Sequence, residues 1–148
     1  MSIMRMELWD AAGRMKLGQD SWFLYTAYAT LSDEQTLIKV GISTIPYQRL
    51  VAIHCNSPFP VDLAAFALMG RKKSALRAER IILAQFAKYK TRGEWLLVPT
   101  TTEIKREFAE ASRSVVEQVT GKPVKWQKAT GAQIKAYMSS KMKDHFAA

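Results

Sequence analysis

Tyrosine, lysine, arginine and glutamate are the side chains of this sequence that could do chemistry, because other common catalytic types are scarce. The chain has two histidines, His54 and His145, and one cysteine, Cys55. A single cysteine forms no internal disulfide and no cysteine-based zinc site, and it favours a reducing compartment. No serine lies in a hydrolase motif, and the glycines form no common nucleotide-binding loop.

Phosphodiester hydrolysis is a reaction that the remaining residue types can support. A tyrosine or lysine can activate water, a carboxylate can hold a divalent metal ion, and an arginine can stabilise the charge that develops on the phosphate. The chain carries 22 lysines and arginines against 13 acidic residues, a formal charge of +9, and its pI is near 9.8. This charge suits an anionic partner such as nucleic acid or an acidic membrane.

The positive charge is concentrated in two segments. Residues 71–92 carry eight basic residues and one glutamate, and residues 121–148 carry six lysines and one aspartate. Two separate concentrations favour a surface that follows phosphates, and the alternative is a pair of solvated faces. The residues that we predict to contact nucleic acid are Arg71, Lys72, Lys73, Arg77, Arg80, Lys122, Lys125 and Lys128.

The predicted elements that must position these side chains are a set of strands and helices. Aromatic and β-branched runs predict a hairpin of strands at 22–29 and 37–43 and a third strand at 61–69. A short strand or extended piece is expected at Glu94–Val98. Proline at the first turn, threonine capping and apolar spacing predict helices. They cover residues 4–16, 46–54, 74–89, a range from Thr100 or Thr101 to about Val119, and a basic helical appendage over 122–148.

The predicted fold class is α+β, a small, mainly antiparallel three-stranded sheet flanked by helices. We divide the chain into an N-terminal helical extension (1–19), a central domain (20–98) and a C-terminal helix with a basic tail (99–148). The longest purely apolar stretch, Leu63–Met69, is far shorter than a membrane helix, and the N-terminus lacks the apolar core of a secretory signal. We therefore expect a protein of the cytoplasm.

Six short segments, in this order, resemble the GIY-YIG nuclease superfamily. They are FLY at 23–25, IKVGIS at 38–43, Arg49, NSPFPVDL at 56–63, a helix with Glu79, and RGEWLLV at 92–98. The chain is most similar to the phage and bacterial branch whose second motif reads IKIG and whose domain ends in GEW. The resemblance covers residues 20–98 and implies the fold of that superfamily.

The resemblance also implies roles for four residues. Tyr25 matches the tyrosine that activates the attacking water, and Arg49 matches the arginine that contacts the scissile phosphate. Glu79 matches the carboxylate that ligates a single Mg²⁺ or Mn²⁺ ion. Lys39 stands where many members have a tyrosine, and Phe23 replaces the first glycine of the first motif. The family's histidine after the arginine is only approximated by His54, and the asparagine that often follows the glutamate helix has no evident counterpart.

The residues themselves support these roles under one condition. Tyrosine has a pKa of about 10, so it is a poor base unless cations such as Lys39 and Arg49 stabilise its phenolate. Tyr25 and Lys39 share a face of the hairpin only if odd residues pair with odd residues. Tyr28, on the opposite face of the strand, is the rival base. Each residue also has a structural reading: a half-buried aromatic for Tyr25 and a solvated strand lysine for Lys39.

Glu79 and Glu94 are the two candidate acidic groups. Glu79 lies on the predicted apolar stripe of its helix, and an unpaired charge is costly to bury, so it requires a cation. That cation is either a metal ion or a basic neighbour such as Arg49 or Lys39. Glu94, within GEW, is expected to order the end of a strand.

The function predicted from this reasoning is a metal-dependent endonuclease that hydrolyses DNA. The alternative is a catalytically inactive, phage-type binding protein with the same fold, acting on nucleic acid or inhibiting a host protein. Convergence of Tyr25, Arg49 and Glu79 on one open cleft able to hold a metal ion would favour the endonuclease.

Overall fold

The computed structural model describes residues 21–57, 59–91 and 95–137. The predicted helix over 4–16, and with it the N-terminal extension, lies outside the described residues. Glu94, His145 and residues 138–148 of the predicted basic tail lie outside them as well. No helix of the described residues is both long and apolar enough to span a membrane.

A single antiparallel sheet of five strands forms the centre of the molecule. Its strands are β1 (Trp22–Thr30), β2 (Gln35–Ser43), β3 (Leu63–Gly70), β4 (Trp95–Pro99) and β5 (Gln127–Thr130). Their order across the sheet is β4-β2-β1-β3-β5, and every neighbouring pair is antiparallel. The predicted α+β class is confirmed.

The sheet has two strands more than the three that the sequence predicted. The short strand expected at Glu94–Val98 is β4, which pairs with β2. The second addition, β5, lies in the segment predicted to be helical, and it pairs with β3 from Leu63↔Thr130 to Phe66↔Gln127. This strand has four residues, and only Ala129 among them is fully buried. It is too short and too polar to show the alternation by which strands are recognised in a sequence.

Within the described residues, three α-helices connect successive strands of the sheet. They are α1 (Pro46–Asn56), α2 (Lys72–Gln85) and α3 (Thr102–Thr120). Pro46 lies at the start of α1, as predicted, where the missing N–H costs no helical hydrogen bond. A 3-10 turn, Ala87–Tyr89, follows α2, and residues 131–137 are helical directly after β5.

Both ends of α3 are capped. The Thr101 side chain accepts a hydrogen bond from the backbone N–H of Ile104 at 3.2 Å, so of the two threonines considered, Thr101 is the cap. Gly121 ends the helix in the left-handed conformation, with φ +75°, which a residue without a Cβ adopts at little cost.

The helices cover the sheet from both sides and create two apolar layers. On one side, which we call the α2/α3 face, Leu24 and Ile38 pack with α2 and α3. On the other, the α1 face, Tyr25 and Phe66 pack with α1 and with Tyr137 of the helical segment 131–137. Because side chains of a strand alternate between faces, even-numbered residues of β1 and β2 point to the first face and odd-numbered residues to the second.

The register of the hairpin decides which candidate residues meet. Tyr25 pairs with Gly41, and Ala27 pairs with Lys39, so odd residues pair with odd residues. The condition set by the sequence is therefore met, and Tyr25 and Lys39 are diagonal neighbours on the α1 face.

Candidate nucleic-acid interface

A cleft of about 410 Å³ opens on the α1 face where α1 meets β2 and the edge strand β4. We call it the α1 cleft. Two predicted site residues line it, Lys39 from β2 and Arg49 from α1, together with the aromatic ring of Trp95 from β4. The neutral polar residues of its lining are Asn56, Ser57 and Thr91. The charged groups in its described lining are thus two cations.

Lys39 is held in the middle of the sheet. It pairs with Ala27 of β1 on one side and with Trp95 of β4 on the other, and only 7% of it is exposed. Its Nζ lies 5.5 Å from the centroid of the Trp95 ring, close enough for a cation–π interaction. The ring therefore offsets part of the cost of holding an ammonium group in a largely enclosed position.

Arg49 reaches the cleft because α1 is anchored through its other side. Tyr47, Leu50 and Ile53 are buried against the α1 face of the sheet, and the Tyr47 hydroxyl donates a hydrogen bond to the carbonyl of Gln133 at 2.9 Å. Arg49 itself is exposed on the helix surface. One nearly buried ammonium and one exposed guanidinium thus line the same opening, which suits a phosphate group.

Tyr25 lies on the same face but is almost enclosed, with 2% of its surface exposed. Its ring covers Gly41: a Cβ built on Gly41 would lie within 2.8 Å of Oη, Cζ and Cε2 of Tyr25. Glycine at position 41 therefore leaves the space that the tyrosine ring occupies. Tyr25 is not among the residues that line the α1 cleft.

Tyr28, the rival base, faces the opposite layer, where its ring contacts Phe108 edge-on with centroids 6.0 Å apart. Burial raises the pKa of Tyr28 to about 12, although a hydrogen bond with Thr26 opposes the shift. A phenol with so high a pKa holds its proton at neutral pH, so Tyr28 is a poorer base than an ordinary tyrosine.

Glu79 does not join Lys39 and Arg49 in the cleft. It lies half-buried on α2, and α2 packs on the α2/α3 face through Ala75, Ala78 and Ile82. Among the described residues, no group of three or more histidines, cysteines, aspartates and glutamates is placed to hold a metal ion. The role of Glu79 as a metal ligand stays a prediction.

The eight basic residues predicted to contact nucleic acid are all exposed. Arg71 lies at the N-terminus of α2, and Lys72 places its Nζ 5.1 Å from the ring centroid of Trp22. Since α2 covers the sheet face opposite α1, the basic residues of α2 lie on the other side of the molecule from the α1 cleft. The three tail lysines lie between α3 and the end of β5, and they are Lys122, Lys125 and Lys128.

His54 and Cys55 have no part in the cleft. The His54 Nδ1 accepts a hydrogen bond from the backbone N–H of Val61 at 3.1 Å, which ties the end of α1 to the chain that enters β3. Cys55 is exposed and forms no disulfide.

Trp95 is the residue of the cleft that sequence reasoning missed. Its ring lies against the Lys39 ammonium and forms the aromatic wall of the opening. An available signal was its place in the GEW motif beside a candidate acidic residue. The pairing of β4 with β2, which brings it next to Lys39, was not visible in the sequence.

Comparison with known proteins gives one match. A family model described as the T5orf172 domain matches residues 23–123, a region that begins in β1 and extends just past α3. The matched region contains Tyr25, Lys39, Arg49 and Glu79. No curated protein and no solved structure matches the chain.

Proposed function

The chain belongs to the T5orf172 domain family, a phage-associated family of nuclease-like domains, and from this premise we propose that it is a GIY-YIG-type endonuclease acting on DNA. The single observation that carries the proposal is the meeting of Lys39 and Arg49 in the α1 cleft. The two residues belong to different motifs, one in β2 and one in α1, the helix that follows it, and the fold brings both side chains to one opening.

Phosphate binding is the part of the reaction that this geometry supports directly. The Lys39 ammonium is a compact point charge fixed by the sheet, whereas the Arg49 guanidinium offers several N–H donors from the rim. Together they could neutralise a phosphodiester in the cleft and stabilise the additional charge that forms when water attacks phosphorus. The Trp95 ring adds a flat surface on which a neighbouring base can stack.

Tyr25 is proposed as the residue that activates the attacking water. It shares the α1 face with Lys39, one of the two cations of the α1 cleft.

A single Mg²⁺ or Mn²⁺ ion is proposed as the cofactor, with Glu79 as its ligand. The described lining of the α1 cleft does not fit such an ion, because its charged groups are both cations and it contains no carboxylate. Phosphate binding by Lys39 and Arg49 therefore stands independently of the metal.

A second candidate function is binding without cleavage, either of nucleic acid or of a host protein that the chain inhibits. Two placements favour it: the enclosure of Tyr25 and the position of Glu79 on the helix layer opposite the cleft. Both functions share the α1 cleft as the phosphate-binding surface when the partner is nucleic acid.

The test is incubation of the purified full chain with supercoiled plasmid and Mg²⁺ or Mn²⁺, with and without chelator. We expect nicking or linearisation that the chelator stops. Arg49→Gln should lower the cleavage rate by about 100-fold or more, since one charge-stabilising donor is lost. Arg106→Gln, which removes an exposed arginine of α3 away from the cleft, is the matched control and should leave the rate unchanged.

Binding and cleavage are separated by two further variants. Tyr25→Phe and Glu79→Gln should abolish cleavage while DNA affinity, measured by fluorescence anisotropy without metal, remains that of the wild type. A wild type that cuts nothing with either metal ion refutes the endonuclease. Equal DNA affinity of Arg49→Gln and wild type refutes the α1 cleft as the interface.

A further inference from the structure

A second cavity, of about 460 Å³, lies on the α2/α3 face and has no part in the function proposed above. Strands β1, β3 and β5 form its floor. Helix α3 and the chain that leads from α3 to β5 form its wall. We call it the α3 cavity. The sheet separates it from the α1 cleft, so a ligand in one site does not contact the residues of the other.

The lining of the α3 cavity combines aromatic and apolar surface with positive charge. Tyr28 and Trp126 supply two aromatic rings. Three cations, Lys105, Arg113 and Lys128, lie around the same space. None of the three forms an ion pair within the part of the chain that the structure describes.

One carboxylate, Asp62, lines the cavity, and it is already engaged. Its Oδ2 accepts a hydrogen bond of 2.7 Å from the backbone N–H of Thr30. Three cations against one carboxylate leave a surplus of two positive charges around a single opening. Cations that surround a concave site and lack local partners attract an anion.

Two residues of the lining carry buried polar atoms without a hydrogen-bond partner among the described residues. Ser112, which is 3% exposed, and Trp126 both line the cavity. The Oγ of Ser112 and the Nε1 of Trp126 are buried without a hydrogen-bond partner among the described residues. Such atoms are uncommon in folded proteins because each loses its bonds to water, and here both belong to residues that line the cavity.

We propose that the α3 cavity binds a nucleotide, with the base against Tyr28 and Trp126 and the phosphate held by Lys105, Arg113 and Lys128. A flat heteroaromatic ring matches the aromatic surface. A phosphate matches the surplus of positive charge. The volume lies within the roughly 300–1,000 Å³ of small-molecule sites.

The same nucleotide chemistry has two sources, a free nucleotide or one unit of a nucleic-acid strand. Arg113 is exposed and Lys105 is half-buried, so the cationic side of the cavity opens to solvent and admits either source. The test compares adenosine 5′-monophosphate with a short 5′-phosphorylated oligodeoxyadenylate, and it includes adenosine and inorganic phosphate as partial ligands.

The readout is the indole N–H resonance of Trp126 in a two-dimensional NMR spectrum of the full chain, assigned through its loss in Trp126→Phe. We expect the monophosphate, the oligonucleotide or both to shift this resonance saturably. A shift by the monophosphate identifies a free nucleotide as ligand, and a shift by the oligonucleotide alone identifies a strand. Adenosine and inorganic phosphate should each bind at least about tenfold more weakly, since each lacks half of the contacts.

Matched variants tie the binding to this cavity. Arg113→Gln and Lys128→Gln should each weaken binding of the shifting ligand by about tenfold. Arg106→Gln, on the same helix but outside the cavity, should leave that affinity unchanged. The NMR spectrum of each variant reports whether it is folded, and two cavity variants keep the test decisive if one is not.

Three results would overturn the proposal. The first is an unshifted Trp126 resonance with both nucleotide ligands. The second is inorganic phosphate or adenosine binding as tightly as the nucleotide. The third is equal loss of affinity in Arg106→Gln and in the cavity variants. None of these results bears on plasmid cleavage, so this inference and the proposed endonuclease fail or succeed separately.

Discussion

Replacing Gly41 with alanine tests the contact that fixes Tyr25 in the α1 layer. The added Cβ would lie within 2.8 Å of three atoms of the Tyr25 side chain, and a contact under 3.0 Å requires the ring to move. Tyr25 is 2% exposed, so the displaced ring has little free space. Overpacking of this kind costs about 1–3 kcal/mol of unfolding free energy. For a chain of 148 residues this lowers the melting temperature by about 3–10 °C.

A double-mutant cycle separates the clash from other effects of the alanine. Tyr25→Leu removes the ring, so Gly41→Ala should cost about 1–3 kcal/mol less in the leucine background than in the wild type. Tyr25→Phe removes only the hydroxyl and leaves the Cζ and Cε2 contacts, so most of the cost should remain. Urea unfolding monitored by circular dichroism gives the free energies of all the variants.

A second glycine provides the matched control. Gly121 has φ +75° and nothing within 4 Å of a built Cβ, so Gly121→Ala carries a backbone cost of about 1–2 kcal/mol and no steric cost. Its effect should therefore be the same in the wild-type and Tyr25→Leu backgrounds. Additivity of Gly41→Ala and Tyr25→Leu within about 0.5 kcal/mol would refute the close contact of the tyrosine ring with Gly41.

Three further perturbations have defined outcomes. Thr101→Ala removes the side-chain cap of α3 and should lower the unfolding free energy by about 1 kcal/mol in urea titrations, whereas Thr101→Ser should preserve it. Truncation after Thr120 deletes β5 and a buried part of the α1 layer, so it should destabilise the fold by more than about 3 kcal/mol; a melting temperature equal to that of the full chain would contradict this. Burial raises the pKa of Tyr28 and Tyr47 from 10 to about 12. Between pH 10 and 12 the folded state therefore retains two protons that the unfolded chain loses. The free energy of unfolding should fall in this range by up to about 1.4 kcal/mol per pH unit for each phenol. Unfolding midpoints that stay constant from pH 9 to 11 would contradict that reasoning.

The residues of the α1 cleft show which parts of the site could be predicted from the sequence motifs. The resemblance placed Lys39 and Arg49 in one site, and the structure brings them to one opening. Tyr25 was predicted to share a face with Lys39 only under one register, and the pairing of Tyr25 with Gly41 provides it. The hairpin loop sets that register, and the side-chain period of two means that a slip by one residue would have separated the two side chains.

The basic tail shows where composition misleads. Its lysines and helical spacing predicted an appendage, but β5 completes the sheet and Ile134 and Tyr137 are buried in the α1 layer. A four-residue strand has too few side chains to display a period, and its stability comes from the ladder with β3. Lys105 and Arg113 of the α3 cavity likewise entered no prediction. In the sequence they look like any other cations on a solvent-exposed helix, and only the neighbouring strands create the cavity beside them.

The sequence by itself determined the elements near their true positions: the hairpin, the strand before Gly70, the start of α1 at Pro46 and the start of α3 at Thr100 or Thr101. These follow from alternation, proline geometry and local hydrogen bonds, which act within a few residues. Only the tertiary structure decided that Glu79 lies across the sheet from Arg49. Helical periodicity shows that one side of a helix is buried, but it does not show against which face of the sheet. Both faces of this sheet are apolar, so only the path of the chain selects the face that each helix covers.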